Sequence, residues 1–183
     1  FSVENALREL HAGANPVDLE SLETVIPLTQ KALEEVRRIV KDLRPSILDD
    51  LGILATIRWF RREFQNVCTG IRIETNIGIE ESDIPMYLKT TIYRIMQEAL
   101  NNVAKHSKAN RVCLQLQKTK TGIHLTIQDN GRGFNIRQTM GIKTSLRGFG
   151  LASMRERAEM SGARFEIDST VESGTIIRVS WAK

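Results

Sequence analysis

The stretch Asp129-Asn130-Gly131-Arg132-Gly133-Phe134 decides how this chain reads. It follows Ile123, Leu125 and Ile127, apolar residues at every second position, so residues 123–128 predict a strand and the two glycines fall where the chain leaves a sheet. Glycine there permits a positive φ and lets backbone approach a ligand closely, and the carboxylate before it can accept from an exocyclic amine. A second block, Gly148-Phe149-Gly150-Leu151, runs into Ala152, Met154, Arg155 and Ala158, a helical pattern. That arrangement brings backbone N–H groups and the positive end of a helix to where a phosphate can rest. Each glycine pair alone is an ordinary turn. Both together, with Glu98-Ala99-Leu100-Asn101-Asn102 on a predicted helix upstream, point to an ATP site.

That upstream helix, residues 83–105 with Pro85 near its first turn, separates structure from chemistry by its periodicity. Leu88, Ile92, Ile95, Met96, Ala99 and Val103 form the apolar side and belong to the core. Glu98, Asn102 and Lys105, at i, i+4 and i+7, lie on a different side and would stack toward one site. An Asn carbonyl oxygen is a neutral hard ligand suited to Mg²⁺, which takes few protein ligands and fills its shell with water and phosphate oxygens. Lys105 can balance phosphate charge, and Glu98 can hold a metal-bound water or polarise an attacking group. The plainer alternative, a solvated polar helix face, is outweighed by the two glycine blocks.

Composition bounds the rest. With 183 residues, 41% of them apolar, the chain can hold one packed domain plus an appendage. A net charge of +4 and a pI near 9.3 fit an anionic ligand or partner. The basic residues are scattered along helices without interleaved aromatics, which argues against direct nucleic-acid binding. Cys68 and Cys113 lack a Cys-x-x-Cys spacing and read as buried or half-buried thiols in a reducing compartment. No run reaches the roughly 20 apolar residues of a membrane span. The chain opens on Phe1 with no initiator Met, which predicts a piece of a longer protein.

Organisation changes near Pro45. Before it, Leu22, Ile26, Thr29, Leu33, Val36, Val40 and Leu43 recur at alternating spacings of four and three, the seam of a helix packing lengthwise on other helices. Residues 1–45 therefore predict part of a helical dimerisation hairpin, its turn at residues 13–18 with Asp18 as N-cap, and Pro27 marking a kink or the true helix start. Residues 46–183 predict a separate domain: a linker at 46–52, a helix at 53–67, strands near 71–77, 111–117, 122–128, 164–168 and 175–181, and a helix at 150–161. Strands joined mostly by hairpins, with helices collected elsewhere, make an α+β fold with a sheet covered on one face. Residues 139–147 read as a loop.

Glu98-x-x-x-Asn102 with Lys105-His106, Asp129-x-Gly131-x-Gly133, Gly148-x-Gly150-Leu151 and Ser173-Gly174-Thr175 resemble the N, G1 and G2 boxes and terminal Gly-Thr of the GHKL ATPase superfamily. The wording from Tyr93 to Asn102, the stretch from Val36 to Pro45 followed by Leu51-Gly52, and residues 148–157 is similar to the nitrate-sensor and DesK-like subfamily of bacterial two-component sensor histidine kinases. The resemblance spans nearly the whole chain. It implies a Bergerat-type α/β sandwich, with a mixed and mostly antiparallel sheet, in a cytoplasmic catalytic region. It further implies ATP and Mg²⁺ as ligands, a homodimer in the full-length protein and a response-regulator receiver domain as partner.

By the same resemblance, Asn102 holds Mg²⁺, Glu98 is the N-box acid, and Lys105 and His106 lie at the phosphates. Asp129 accepts from the adenine amine and Thr175 bonds near adenine. Gly131 and Gly133 shape the adenine side, and Gly148, Gly150 and Leu151 the hinge and phosphate side. Arg8-Glu9-Leu10-His11 echoes the subfamily's phosphoacceptor. Ala12 stands where an acidic neighbour is expected, however, and the predicted turn follows at once, so His11 reads as a surface residue with the true acceptor cut away or absent. Two alternatives stand beside the kinase reading. One is a superfamily serine kinase of the anti-sigma-factor type, against which the stalk and the Leu-Arg-Pro junction argue. The other is a non-catalytic, nucleotide-gated dimerisation module.

Overall fold

The computed structural model of the chain describes residues 46–136 and 146–182. The chain divides into two units, Phe1–Pro45 and Ser46–Lys183, and every described residue belongs to the second. The hairpin, His11 and most of the loop expected before the second glycine block lie outside the described residues.

The second unit is built on a five-stranded sheet: β1 (Arg72–Gly78), β2 (Arg111–Thr119), β3 (Gly122–Asp129), β4 (Ala163–Ser169) and β5 (Thr175–Ala182), in the spatial order β1-β2-β3-β5-β4. β1 runs parallel to β2, and every other neighbouring pair is antiparallel. Period-2 alternation aligns the apolar residues in rows across the strands. Leu114, Ile127 and Ile177 are register partners in one row, and Leu116, Leu125, Val179 and Phe165 in the next, all of them buried. The opposite face carries Gln115, Gln117, Thr126, His124, Arg178 and Glu166 in register and meets water. His124 is occupied on that face by Ser180, Thr119 and Thr121 at 2.9–3.1 Å.

Among the described residues three α-helices accompany the sheet: α1 (Ser46–Val67), α2 (Met86–Asn102) and α3 (Leu146–Met160). α1 includes the residues expected as a linker, and it breaks at Gly52, whose φ of 79° no helix contains. The break frees the N–H groups of Ile53 and Leu54, and both oxygens of Glu81 accept them at 2.9 Å. Lys89 sits 2.6 Å from the same carboxylate. Burial pushes the Glu81 pKa up, but the bonds from Lys89, Leu54 and Ile53 outweigh it, and the group lies below the usual carboxylate range.

α2 is shorter than the expected 83–105. A 3₁₀ turn over Glu81–Asp83 and Pro85 as N-cap precede it, and a π-helical turn over Val103–Ser107 ends it. A π turn holds more residues than an α turn, so residues beyond Asn102 rotate away from the side that Glu98 and Asn102 share. α3 begins before the expected residue 150, so Gly148 and Gly150 lie inside the helix and not ahead of it. Among the described residues no helix is long and apolar enough to cross a membrane.

Candidate nucleotide site

The buried face of the sheet turns polar at one end. Asp129 is an inward-facing position two residues beyond Ile127, its register partner on β5 is Thr175, and Thr175 in turn pairs with Ser169 on β4. The alternation that buries Leu125 and Ile127 thus also buries Asp129, which is only 7% exposed. Its Oδ1 accepts the Gly131 N–H at 2.8 Å, and Thr175 supplies a side-chain hydrogen bond. Burial pushes its pKa up, against these two bonds. An ionised carboxylate has about four acceptor positions, so capacity remains for a ligand.

A cavity of about 310 Å³ opens over this end of the sheet. Asp129, Thr175, Ile127 and Ile177 form its floor. α2 contributes Ala99 and Asn102, the π turn Val103, His106 and Ser107, the segment after β3 Arg132, Gly133 and Phe134, α3 Leu151, and the β4–β5 hairpin Val171 and Glu172. The hairpin is fixed to the segment after β3. Gly133 has φ 56°, and a Cβ there would stand 2.0 Å from the Thr170 carbonyl oxygen, so only glycine lets the two backbones approach. Ser169 Oγ accepts the Phe134 N–H, donates to the Gly174 carbonyl and meets Thr175 Oγ1, each at 3.0 Å.

On the α2 side, Gly150 of α3 packs against the Glu98 carboxylate: a Cβ on Gly150 would lie 2.1 Å from Glu98 Oε1 and 3.4 Å from Asn102 Nδ2. Of the residues expected to form the site, Asn102, His106, Asp129, Gly133, Leu151 and Thr175 line the cavity. Gly131 stands behind the Asp129 carboxylate, and Glu98 and Gly150 meet beside Asn102. Gly148 lies in the first turn of α3. Lys105 is exposed in the π turn, off the α-helical spacing from Glu98, and is not among the lining residues.

Several lining residues carry no motif. Ala99, Val103, Ile127 and Ile177 are apolar positions that periodicity assigns to the core, and the hairpin tip reaches the cavity through a long-range register. Ser107 is held by its own turn, donating to the Val103 carbonyl and accepting from the Ala109 N–H at 2.9 Å.

A mixed sheet with helices on one face and a mostly apolar cavity over a buried carboxylate has the makings of a small-molecule site. Over residues 87–183 the chain matches the histidine kinase-, DNA gyrase B- and HSP90-like ATPase family, and it belongs to that family. More narrowly, it is similar to the corresponding part of sensor histidine kinases. It is 36% identical over 163 residues to the signal transduction histidine-protein kinase/phosphatase DegS of Brevibacillus brevis, covering 88% of this chain and 40% of that protein. To the oxygen sensor histidine kinase NreB of Staphylococcus carnosus it is 31% identical over 160 residues, covering 87% of this chain and 44% of that one. The chain thus spans about two-fifths of the length of the curated relatives it matches. The fold is similar to the histidine kinase domain of the Erythrobacter litoralis EL346 blue-light activated kinase (TM-score 0.56, 18% identity, 70% of this chain and 59% of that chain). It is also similar to the Acinetobacter baumannii histidine kinase AdeS (TM-score 0.55, 12% identity, 98% and 92%).

Proposed function

We propose that the chain binds Mg²⁺-ATP in this cavity and that, in the intact protein, the terminal phosphoryl group passes to a histidine and then to an aspartate of a response-regulator receiver domain. The observation that carries the reading is Asp129, a buried carboxylate at the end of an apolar row with acceptor capacity on the cavity side. Burying a carboxylate is costly unless donors meet it, and the exocyclic amine of adenine is such a donor among apolar walls that fit its rings. Thr175 bonds near the base, with Gly131 and Gly133 shaping that side.

The phosphates lie toward Asn102, Glu98 and Gly150. Asn102 stands beside the Glu98 carboxylate, and its amide oxygen would be the protein ligand to Mg²⁺, an ion that takes few protein ligands alongside phosphate and water. The ion supplies charge neutralisation on the phosphate oxygens. Glu98 orients and polarises the attacking imidazole. Lys105 and His106 add polar and positive groups at the π turn, and α3 with Gly148, Gly150 and Leu151 forms the adjoining wall. Residues 1–45 serve as part of a dimerisation hairpin of a homodimer in the cytoplasm, with the acceptor histidine elsewhere than His11.

Calorimetry on the whole chain tests the site. Asp129→Ala should weaken ADP and ATP alike by about 1.5–3 kcal/mol, the worth of a hydrogen bond to a charged group. Asn102→Ala should weaken Mg²⁺-ATP and leave adenosine unchanged. Unaltered ATP affinity in both variants sinks the assignment.

A further inference from the structure

We infer that Arg132 is a positioning residue for the nucleotide, acting by stapling two walls of the cavity together and not by touching phosphate; this rests on the nucleotide-site reading above. Its backbone N–H donates to the Ser107 carbonyl at 2.8 Å, its Nε–H donates to the His106 carbonyl at 2.7 Å, and its own carbonyl accepts the Glu172 N–H at 2.6 Å. His106, Ser107 and Glu172 all line the cavity.

The need for such a staple follows from the π turn. The turn ends at Ser107, and Lys108 leaves it in the left-handed region with φ 56°, so the last carbonyls have no following helical N–H to accept. Arg132 satisfies two of them and brings a positive charge to the negative end of a helix. On its other side it holds Glu172, which has φ 66°, a conformation uncommon for a residue other than glycine. The two backbone bonds survive any substitution that folds. The Nε bond to His106 is the part that belongs to the side chain, and it sets where the π turn carries the His106 ring.

Side-chain lengths make this testable. Gln Nε2 lies the same number of bonds from Cα as Arg Nε, so Arg132→Gln keeps the donor in place and removes the charge. Arg132→Lys keeps the charge and carries its nitrogen one bond farther out, and Arg132→Met removes both. Affinities of the whole chain for adenosine, ADP and Mg²⁺-ATP are measured by calorimetry well below the melting temperature, with the His106 ring protons followed by NMR. The Met and Lys variants should lose about fivefold for all three ligands and shift the His106 signals in the free protein, while the Gln variant stays within about twofold of wild type. A loss confined to ADP and ATP and rescued by Lys makes Arg132 a phosphate ligand and overturns the inference. So does a lowered melting temperature with unchanged affinities in the Met variant, which is a structural role alone. If the Met variant does not fold, the Gln and Lys pair decides by the same criteria. Wild-type protein that binds none of the three ligands sinks the nucleotide reading itself, and this inference with it.

Discussion

The two ends of the cavity are built differently. At the floor, Asp129, Thr175 and Ser169 sit in sheet register and are held by main-chain groups, the Gly131 N–H, the Phe134 N–H and the Gly174 carbonyl. The glycines there abut backbone, Gly133 against the Thr170 carbonyl oxygen and Gly174 against that of Asp129. At the rim beside α2, the close neighbour of Gly150 is the tip of a flexible side chain, the Glu98 carboxylate. Backbone cannot step aside without moving a strand, whereas a carboxylate can swing on its rotamers. The floor is therefore preorganised for recognition, and the rim is the part that can rearrange around a reacting group.

Two glycine-to-alanine substitutions test that difference. Gly133→Ala adds a left-handed non-glycine residue and a backbone clash, and it should cost at least ~2 kcal/mol of stability, read as a fall of several degrees in melting temperature. Gly150→Ala should leave the melting temperature unchanged or slightly raised, since alanine favours helix and Glu98 can turn away. Autophosphorylation of the intact protein, by contrast, should fall roughly a hundredfold, the scale of losing a positioned acid–base group. If Gly150→Ala unfolds the domain as readily as Gly133→Ala, the rim is as rigid as the floor and the contrast fails.

The same contrast explains what could be read in the amino-acid sequence. Glu98, Asn102, Asp129 and the glycines stand in short fixed spacings, and the α+β architecture with its rows of Ile123, Leu125 and Ile127 follows from period-2 alternation. No residue pattern announces the π turn over Val103–Ser107, so α-helical spacing does not carry from Glu98 through to Lys105. Gly148 and Gly150, poor helix formers, read as the end of a loop, whereas α3 already begins at Leu146. The parallel pairing of β1 with β2 and the hairpin tip at Val171 and Glu172 depend on register between distant strands, which local pattern does not encode.

Asp129→Asn separates recognition from stability. Burial raises the Asp129 pKa, so the folded state takes up protons more readily than the unfolded one, whose value is near 3.8. Its contribution is intact below that value and is lost as pH rises through the folded pKa. Asp129→Asn should therefore be more stable than wild type near neutral pH, by a margin that grows with pH across that window, and should bind ATP more weakly. Denaturant unfolding over a pH series, with calorimetry, reads both. A variant that is less stable at neutral pH would mean that the Gly131 and Thr175 bonds outweigh burial.

Glu81 is the opposite case, a carboxylate whose pKa is lowered although burial pushes it up, because Lys89 and the Leu54 and Ile53 N–H groups hold the charged form. Its contribution is present above the unfolded value near 4.5 and is lost as pH falls through the folded pKa. Glu81→Gln should cost about 1 kcal/mol at neutral pH, the usual worth of a helix cap, and the deficit should shrink on acidification. The pH slope thus has the sign opposite to that of Asp129→Asn. Because Glu81 caps α1 at the Gly52 break and is absent from the cavity lining, adenosine and ATP affinities should not move. A change in either affinity would mean that the break in α1 is coupled to the nucleotide site, and that the rigid floor extends beyond the strands that form it.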